Sequence, residues 1–241
     1  MGALQKLHKQ SYGFDLRKEF YFLSTASFIN ICPGLKADCL KKTIQEAIPF
    51  FTKGIPELGV IPTDPLRDDN VELDLPGAFK VHLNNGSLTG LRKCIVEDVS
   101  YENDVADLTL KCNATIKGKY KANGHILIVT IKGDGDAKIK AYNVIIGVKI
   151  VFKDVIRDGV TYYEISDYKI NHKYGDKVSF VLTNLFEGNP QISEAVLLFL
   201  NQNWKQIVEE FGGPILDRLV KIVFGNVKTF FSAIPKNELI A

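Results

Sequence analysis

The chain has 241 residues, 46% hydrophobic and 24% charged, which is the composition of a globular protein with a sizeable core and not of a disordered or fibrous one. Thirty Lys and Arg stand against 28 Asp and Glu, and the lysines are scattered instead of forming a dense basic tract, so nucleic acid is not an expected partner. No apolar stretch approaches the roughly eighteen residues that would span a bilayer as a helix.

At the N-terminus, Arg17, Lys18 and Glu19 precede a modest apolar run from Phe20 to Ile31, broken by Ser24, Thr25, Ser27 and Asn30. This fits either a degenerate secretion signal or an extension, and in both readings residues 1–30 lie outside the fold. A single domain is expected over residues 31–241.

Four cysteines occur, Cys32, Cys39, Cys94 and Cys112, without the paired short spacings of a zinc site, so no metal is expected. Cys32 and Cys39 flank a Pro-Gly loop, a spacing that suits a staple in an oxidising compartment. Cys94 and Cys112 lie nearly symmetrically about a turn signal at Asn103-Asp104, which leaves them either bonded across adjacent strands or buried as thiols.

From Asp38 onward, Leu40, Ile44, Ala47, Ile48 and Phe51 fall on one helical stripe, with Asp38 placed as the N-cap and Gly54 as the stop. Pro49 should kink this helix or limit its last turn. Pro56, Pro62 and Pro65 punctuate the connection that follows, after which the periodicity becomes strand-like. Strands are expected at Val71–Leu75, Ala78–Leu83, Leu88–Tyr101, Val105–Tyr120, His125–Ile131, Ala137–Phe152, Thr161–Asn171 and Lys177–Leu182. Their separators are Asn85-Gly86, Asn103-Asp104, Asn123-Gly124, Gly133-Asp134-Gly135 and Asp158-Gly159. The short connections imply antiparallel pairing, and the two longest strands require strong twist and curvature.

Gln191 to Phe211 reads as a second helix with Val196, Leu197, Leu200, Trp204, Ile207, Val208 and Phe211 on one broad face. Ile215 to Phe231 reads as a third, so apolar that it must be substantially buried. Helix, many strands, then long helices is an α+β order, without the alternation of a doubly wound enzyme. A long apolar helix along the concave face of a curved antiparallel sheet leaves an elongated internal hydrophobic tunnel wherever side chains fail to meet, a shape suited to a chain-like ligand.

Patterns for catalysis are weak. His8, His82, His125 and His172 have no partners at metal-ligand or triad spacing. Gly86-Ser87-Leu88-Thr89-Gly90 has its serine in the wrong place for a nucleophile elbow. Gly133-Asp134-Gly135-Asp136 lacks the rest of a phosphate or calcium loop and reads as a tight turn. Asp68-Asp69 and Glu209-Glu210 read as solvated charge. Asn85-Gly86-Ser87 and Asn113-Ala114-Thr115 match the N-glycosylation pattern, although Asn84-Asn85-Gly86 is also a hairpin turn signal.

Several blocks together carry a family resemblance: CPGLKADC before the first helix, GIPELGVIPTDPL, GSLTGL, IKGDGDAKIK, and LTNLFEGNPQISEAVLLFLNQNWKQIVEEFGGP. From Cys32 to the end the chain resembles the takeout/juvenile-hormone-binding family of insect hydrophobic-ligand carriers, more closely its takeout branch. The resemblance implies secretion, a Cys32–Cys39 disulfide, and a curved sheet around a long helix and a tunnel. It also implies non-catalytic transport of an elongated apolar ligand, such as a terpenoid like juvenile hormone, a fatty acid or a quinone, without a cofactor. Cys94 and Cys112 are additional to that branch's single bridge. A monomer is expected.

The lining expected on this reading is Phe50 and Phe51 from the first helix and Val81, Leu110, Ile128, Tyr142, Val144, Ile146, Phe180 and Leu182 from the sheet. Phe186, Leu200 and Trp204 complete it. Tyr142 and Trp204 are singled out because a phenol or indole donates one hydrogen bond from an apolar ring. The competing reading is a membrane-surface or protein-interaction module without an enclosed ligand.

Overall fold

The computed structural model describes residues 28–240. Most of the N-terminal segment set apart above, and Ala241, lie outside them. Helix α1 spans Ala37–Lys53. Seven strands follow: β1 Leu66–Leu75, β2 Phe79–Thr89, β3 Ile95–Glu102, β4 Val105–Ile126, β5 Val129–Arg157, β6 Val160–Lys173 and β7 Lys177–Leu182. Three helices close the chain, α2 Pro190–Gln202, α3 Trp204–Phe211 and α4 Gly213–Ala233. The class is α+β, as the order of the sequence patterns implies.

All seven strands form one antiparallel sheet of order β1-β2-β4-β5-β6, with β3 also pairing β4 and β7 also pairing β5. The two long strands are the spine. β4 pairs β3 along residues 105–111 and β2 along 115–123, while β5 pairs β6 along 145–157 and β7 along 137–142. Drawn straight at about 3.3 Å per residue, β5 would run about 95 Å. Bulges at Cys112/Ala114 and Val151/Phe152 bend and twist the spine instead.

Several expected breaks are absent. Asn123-Gly124 lies inside β4 and Gly133-Asp134-Gly135 inside β5. The glycines there answer to close approach, not to turning: a Cβ on Gly133 would strike the Tyr120 ring, and one on Gly135 the Thr183 backbone. Asn85-Gly86 is not a hairpin but an irregularity within β2, between Asn84 and Ser87, where Asn85 has φ 50°. Conversely, the single strand expected over Leu88–Tyr101 is interrupted by a 3-10 turn at Leu91–Lys93, and the helix expected over Gln191–Phe211 is broken at Asn203 into α2 and α3.

The first helix begins at Ala37 after Lys36, so Asp38 lies in its first turn and is not its cap, and it runs through Pro49 to Lys53. The turns at Asn103-Asp104 and Asp158-Gly159 stand where they were expected. Both cysteine pairs are bonded, Cys32–Cys39 and Cys94–Cys112. The second joins the start of β3 to β4, next to the register pair Ile95 and Lys111.

Candidate functional site

Buried apolar side chains gather at two separate places. Where α2 and α3 meet the sheet, Leu75, Phe79, Tyr120, Ile131, Leu185, Val196, Leu200, Ile207 and Phe211 pack together. Elsewhere, Ile150, Phe152, Tyr163, Ile165 and Phe224 form a second cluster. A third cluster, Leu58, Val60, Phe230 and Ile234, shares Phe231 and Leu239 with the second. α4 supplies Phe224 and Phe230 to these two.

Between the two ends lies an apolar band of which only Val148 packs against one of the clusters. Antiparallel register places Leu108, Leu110 and Ile116 of β4 opposite Val148, Ile146 and Ile139 of β5. Leu108, Leu110, Ile116, Ile139 and Ile146 are all half-buried. Along α4, Leu216, Leu219, Val220 and Val223 are half-buried too. The helix expected to be substantially buried therefore buries fully only Phe224, Asn226 and Phe230.

α4 packs against β6 and β1, the two ends of the sheet's strand order, so it lies across the open side of the curve. Two contacts fix it. The Arg218 guanidinium donates to Asp68 Oδ2 of β1 from Nε at 2.8 Å and Nη2 at 2.6 Å. The Phe224 ring stacks on Tyr168 of β6 with centroids 3.8 Å apart. Farther along, the buried Asn226 amide accepts from the Ile61 N–H at 3.2 Å and donates to its carbonyl at 2.6 Å.

The face that each residue of β5 presents changes phase within the strand. Ala137, Ile139 and Ala141 share a face with Gly118, Ile116 and Ala114, but beyond the bulge Val144, Ile146 and Val148 take that side. Asn143 has φ 52°, and its N–H is held by Asn113 Oδ1 at 2.7 Å. An even-numbered alternation drawn from Val144 backwards therefore misplaces Tyr142. That residue pairs with Lys177 beside the inward pair Ala141 and Val178, and is 38% exposed. Tyr142 does not stand with the apolar band.

Of the other expected lining residues, Leu110, Val144 and Ile146 lie along the middle of the spine. Val81, Phe180, Leu182, Phe186 and Leu200 belong to the α2/α3 end. Phe51 packs edge-on against Phe230 at the other end, whereas Phe50 is 54% exposed and stacks on Phe28. Ile128 sits in the turn between β4 and β5 and is 91% exposed, which removes it from any interior. Trp204, half-buried, opens α3. No α4 residue is among the expected lining, although the apolar stripe of that helix, Leu216, Leu219, Val220 and Val223, is a signal for it.

Polar chemistry is concentrated in the second cluster. The Tyr101 hydroxyl donates to Asp104 Oδ1 at 2.9 Å and lies 3.0 Å from the Tyr163 hydroxyl. Burial first, then these hydrogen bonds, raise the Tyr101 phenol well above its ordinary range. Tyr120, whose hydroxyl donates to the Thr183 carbonyl at 2.8 Å, is pushed up to about 12 by burial and the Asp134 charge. Among the described residues, no group of three His, Cys, Asp or Glu could hold a metal ion, and no helix is long and apolar enough to cross a membrane.

A solved structure shares this arrangement, and other known proteins are similar in sequence. The solved structure of Epiphyas postvittana Takeout 1 superposes with a TM-score of 0.83 at 34% identity, covering 88% of this chain and 99% of that one. The circadian clock-controlled protein daywake is 28% identical over 222 residues in both Drosophila yakuba and Drosophila melanogaster, covering 86% of this chain and 85% of each relative. A putative beta-carotene-binding protein of Schistocerca gregaria is 24% identical over 208 residues, covering 83% of this chain and 82% of that protein. The model of the haemolymph juvenile hormone binding protein family matches residues 18–241. With the curved sheet, the helix across its open side and a match over nearly the whole length, the chain belongs to the haemolymph juvenile hormone binding protein (JHBP) family.

Proposed function

We propose that this protein is a non-catalytic, secreted carrier that encloses an elongated apolar ligand between α4 and the concave face of β4 and β5. The observation that carries the reading is an apolar band on β4 and β5, Leu108, Leu110, Ile116, Ile139 and Ile146, and an apolar stripe on α4, all short of full burial, while the clusters at the two ends hold fully buried residues. Protein interiors are close-packed. Inward apolar side chains that stop short of full burial between two buried clusters are therefore read as bordering space kept for something else. The family and the beta-carotene-binding relative support a hydrophobic cargo, and two disulfides support an oxidising compartment.

Affinity on this reading comes from removing apolar surface from water. About 350 Å² of ligand surface at roughly 25 cal/mol per Å² gives about 9 kcal/mol gross, reduced by at least about 4 kcal/mol for association. Terpenoids, fatty acids and quinones all have the elongated apolar form that this reading calls for. Selectivity then rests on length, shape and one or two polar contacts.

Native mass spectrometry of the purified full chain tests the proposal. A stoichiometric apolar adduct, lost on organic extraction and identified in the extract, is the expected result. A bare protein that fails to take up a polyene fatty acid such as cis-parinaric acid would defeat it.

A further inference from the structure

Helix α2 is apolar on two sides. Val196 and Leu200 are buried in the α2/α3 cluster, with Leu197 and Phe199 packed beside them. On the other side Ile192 is 46% exposed and Leu198 57%, with Ala195 exposed between them. Next to this face, Leu127 and Ile128 join β4 to β5, and Ile128 projects with 91% of its surface exposed. An open cleft of about 410 Å³ lies between the first residue of β5 and the helix, lined by Val129, Gln191, Ile192, Ala195, Val196 and Phe199. Beside the exposed Gln191, α2 thus keeps large apolar side chains on a side that the fold does not cover, and an exposed apolar patch marks an interaction site.

The charges around the patch decide what kind of partner it fits. Lys132, two positions beyond Thr130 on β5, is paired with Glu187, which precedes α2. Among the described residues, Glu194 on α2 and His125 on β4 are the remaining titratable groups of these two elements beside the patch. The surface is thus apolar with almost no net charge, which complements neither an anionic membrane nor a charged protein. It complements the interface of a zwitterionic bilayer, whose fluid acyl layer can accept a single projecting isoleucine and fill a narrow cleft. α2 is also continuous with the interior, because its buried face closes the packed end of the space assigned to the ligand.

We propose that this end of the molecule docks on a zwitterionic phospholipid surface, with Ile128 and the Ile192/Leu198 face of α2 entering the interface, where apolar cargo is exchanged. The role in cargo exchange rests on the carrier reading. The docking itself does not.

The test is co-sedimentation of the full chain with phosphatidylcholine vesicles, at low salt and at about 0.5 M salt, where exposed charges are screened. Binding is expected at both salts. Ile128→Asp and Leu198→Glu should each weaken it about tenfold, since interfacial binding scales with the apolar area buried. Both sites are exposed, so the melting temperature should not move, and cis-parinaric acid should be retained equally in vesicle-free buffer. Wild-type protein left in the supernatant, variants that sediment like wild type, or binding lost at the higher salt would overturn the proposal. So would a concentration-dependent dimer abolished by the same substitutions, because a second copy would then be the occupant. Vesicle binding without uptake of the fatty acid would sink the carrier reading and leave the docking surface standing.

Discussion

The side-chain amide of Asn201 exchanges two hydrogen bonds with the backbone of Phe180: its Oδ1 accepts from the N–H at 2.9 Å and its Nδ2 donates to the carbonyl at 2.9 Å. β7 pairs only with β5, so one of its sides would otherwise be free. Asn201 gives that side the two bonds a neighbouring strand would give, and a third bond to the Leu197 carbonyl fixes the amide in its own helix. Asn226 does the same for Ile61 from α4. Backbone groups left unpaired in partly buried places cost about 1–3 kcal/mol each. Asn201→Ala should therefore lower the unfolding free energy by about 2–3 kcal/mol in urea denaturation. Asn201→Leu should not restore it. A change under about 0.5 kcal/mol, the usual bound for surface sites, would show that the pairing contributes nothing.

Core and band should respond oppositely to a change of volume. Leu200 is 2% exposed in the α2/α3 cluster, and Leu200→Ala should cost about 2–5 kcal/mol. Leu110→Phe and Leu219→Phe enlarge residues that are only half-buried, so they should escape the 1–3 kcal/mol usual for overpacking. Both should weaken cis-parinaric acid binding at least about tenfold, by the area they occupy. Fluorescence titration beside urea melts reads the two effects together, and a large stability loss in the Phe variants would place the band in an ordinary core.

The Asp68–Arg218 pair holds α4 to β1, with Arg218 44% and Asp68 28% exposed at the side chain. Partly solvated pairs contribute about 0–1 kcal/mol. Arg218→Ala should barely change stability yet loosen one attachment of the helix that lies across the open side of the sheet. Faster release of a bound polyene fatty acid in stopped-flow, with the melting temperature nearly unmoved, is the expected outcome.

The two disulfides close loops of different size, with sequence separations of 18 for Cys94–Cys112 and 7 for Cys32–Cys39. Converting the first pair to alanine should cost about 3 kcal/mol and the second somewhat less, because the loop-closure entropy removed from the unfolded chain grows with loop length. Equal losses in thermal melts would argue against that account.

Alkaline stability follows from the tyrosines. A phenol that ionises near pH 10 when unfolded, but higher when folded, contributes stability below pH 10 that is lost as pH rises toward the folded value. Tyr120, pushed up to about 12, and Tyr101, raised further, both have this sign. Between pH 10 and 12 the unfolding free energy should fall by about 1.4 kcal/mol per pH unit for each such phenol. In Tyr120→Phe that slope should be shallower by one phenol's share.

Much of this architecture was legible because it rests on local chemistry. The turn at Asn103-Asp104, the helix that starts within CPGLKADC and the apolar run of α4 each announce themselves within a few residues. What stayed hidden depends on distant neighbours. Gly133 and Gly135 look like turn residues until Tyr120 and Thr183 are known to press against them. Asn85 has the left-handed backbone of a hairpin residue but spends it on an irregularity inside β2. Tyr142 fell on the wrong face because the phase change at Asn143 is anchored by Asn113, thirty positions earlier in the chain. Ile128 looked like core because apolar residues usually are, and only the turn geometry exposes it.

The position of α4 against both β1 and β6 has a consequence for solubility. A sheet that never closes into a barrel keeps edge strands whose unpaired backbone groups are templates for growth into polymers, and β1 and β6 end the strand order here. Here a single helix attends both, so the two hazards are not independent. Proteolytic nicking or melting of α4 would take a packed neighbour from β1 and β6 at once and expose the helix's apolar stripe, so one local event would open two sites for aggregation.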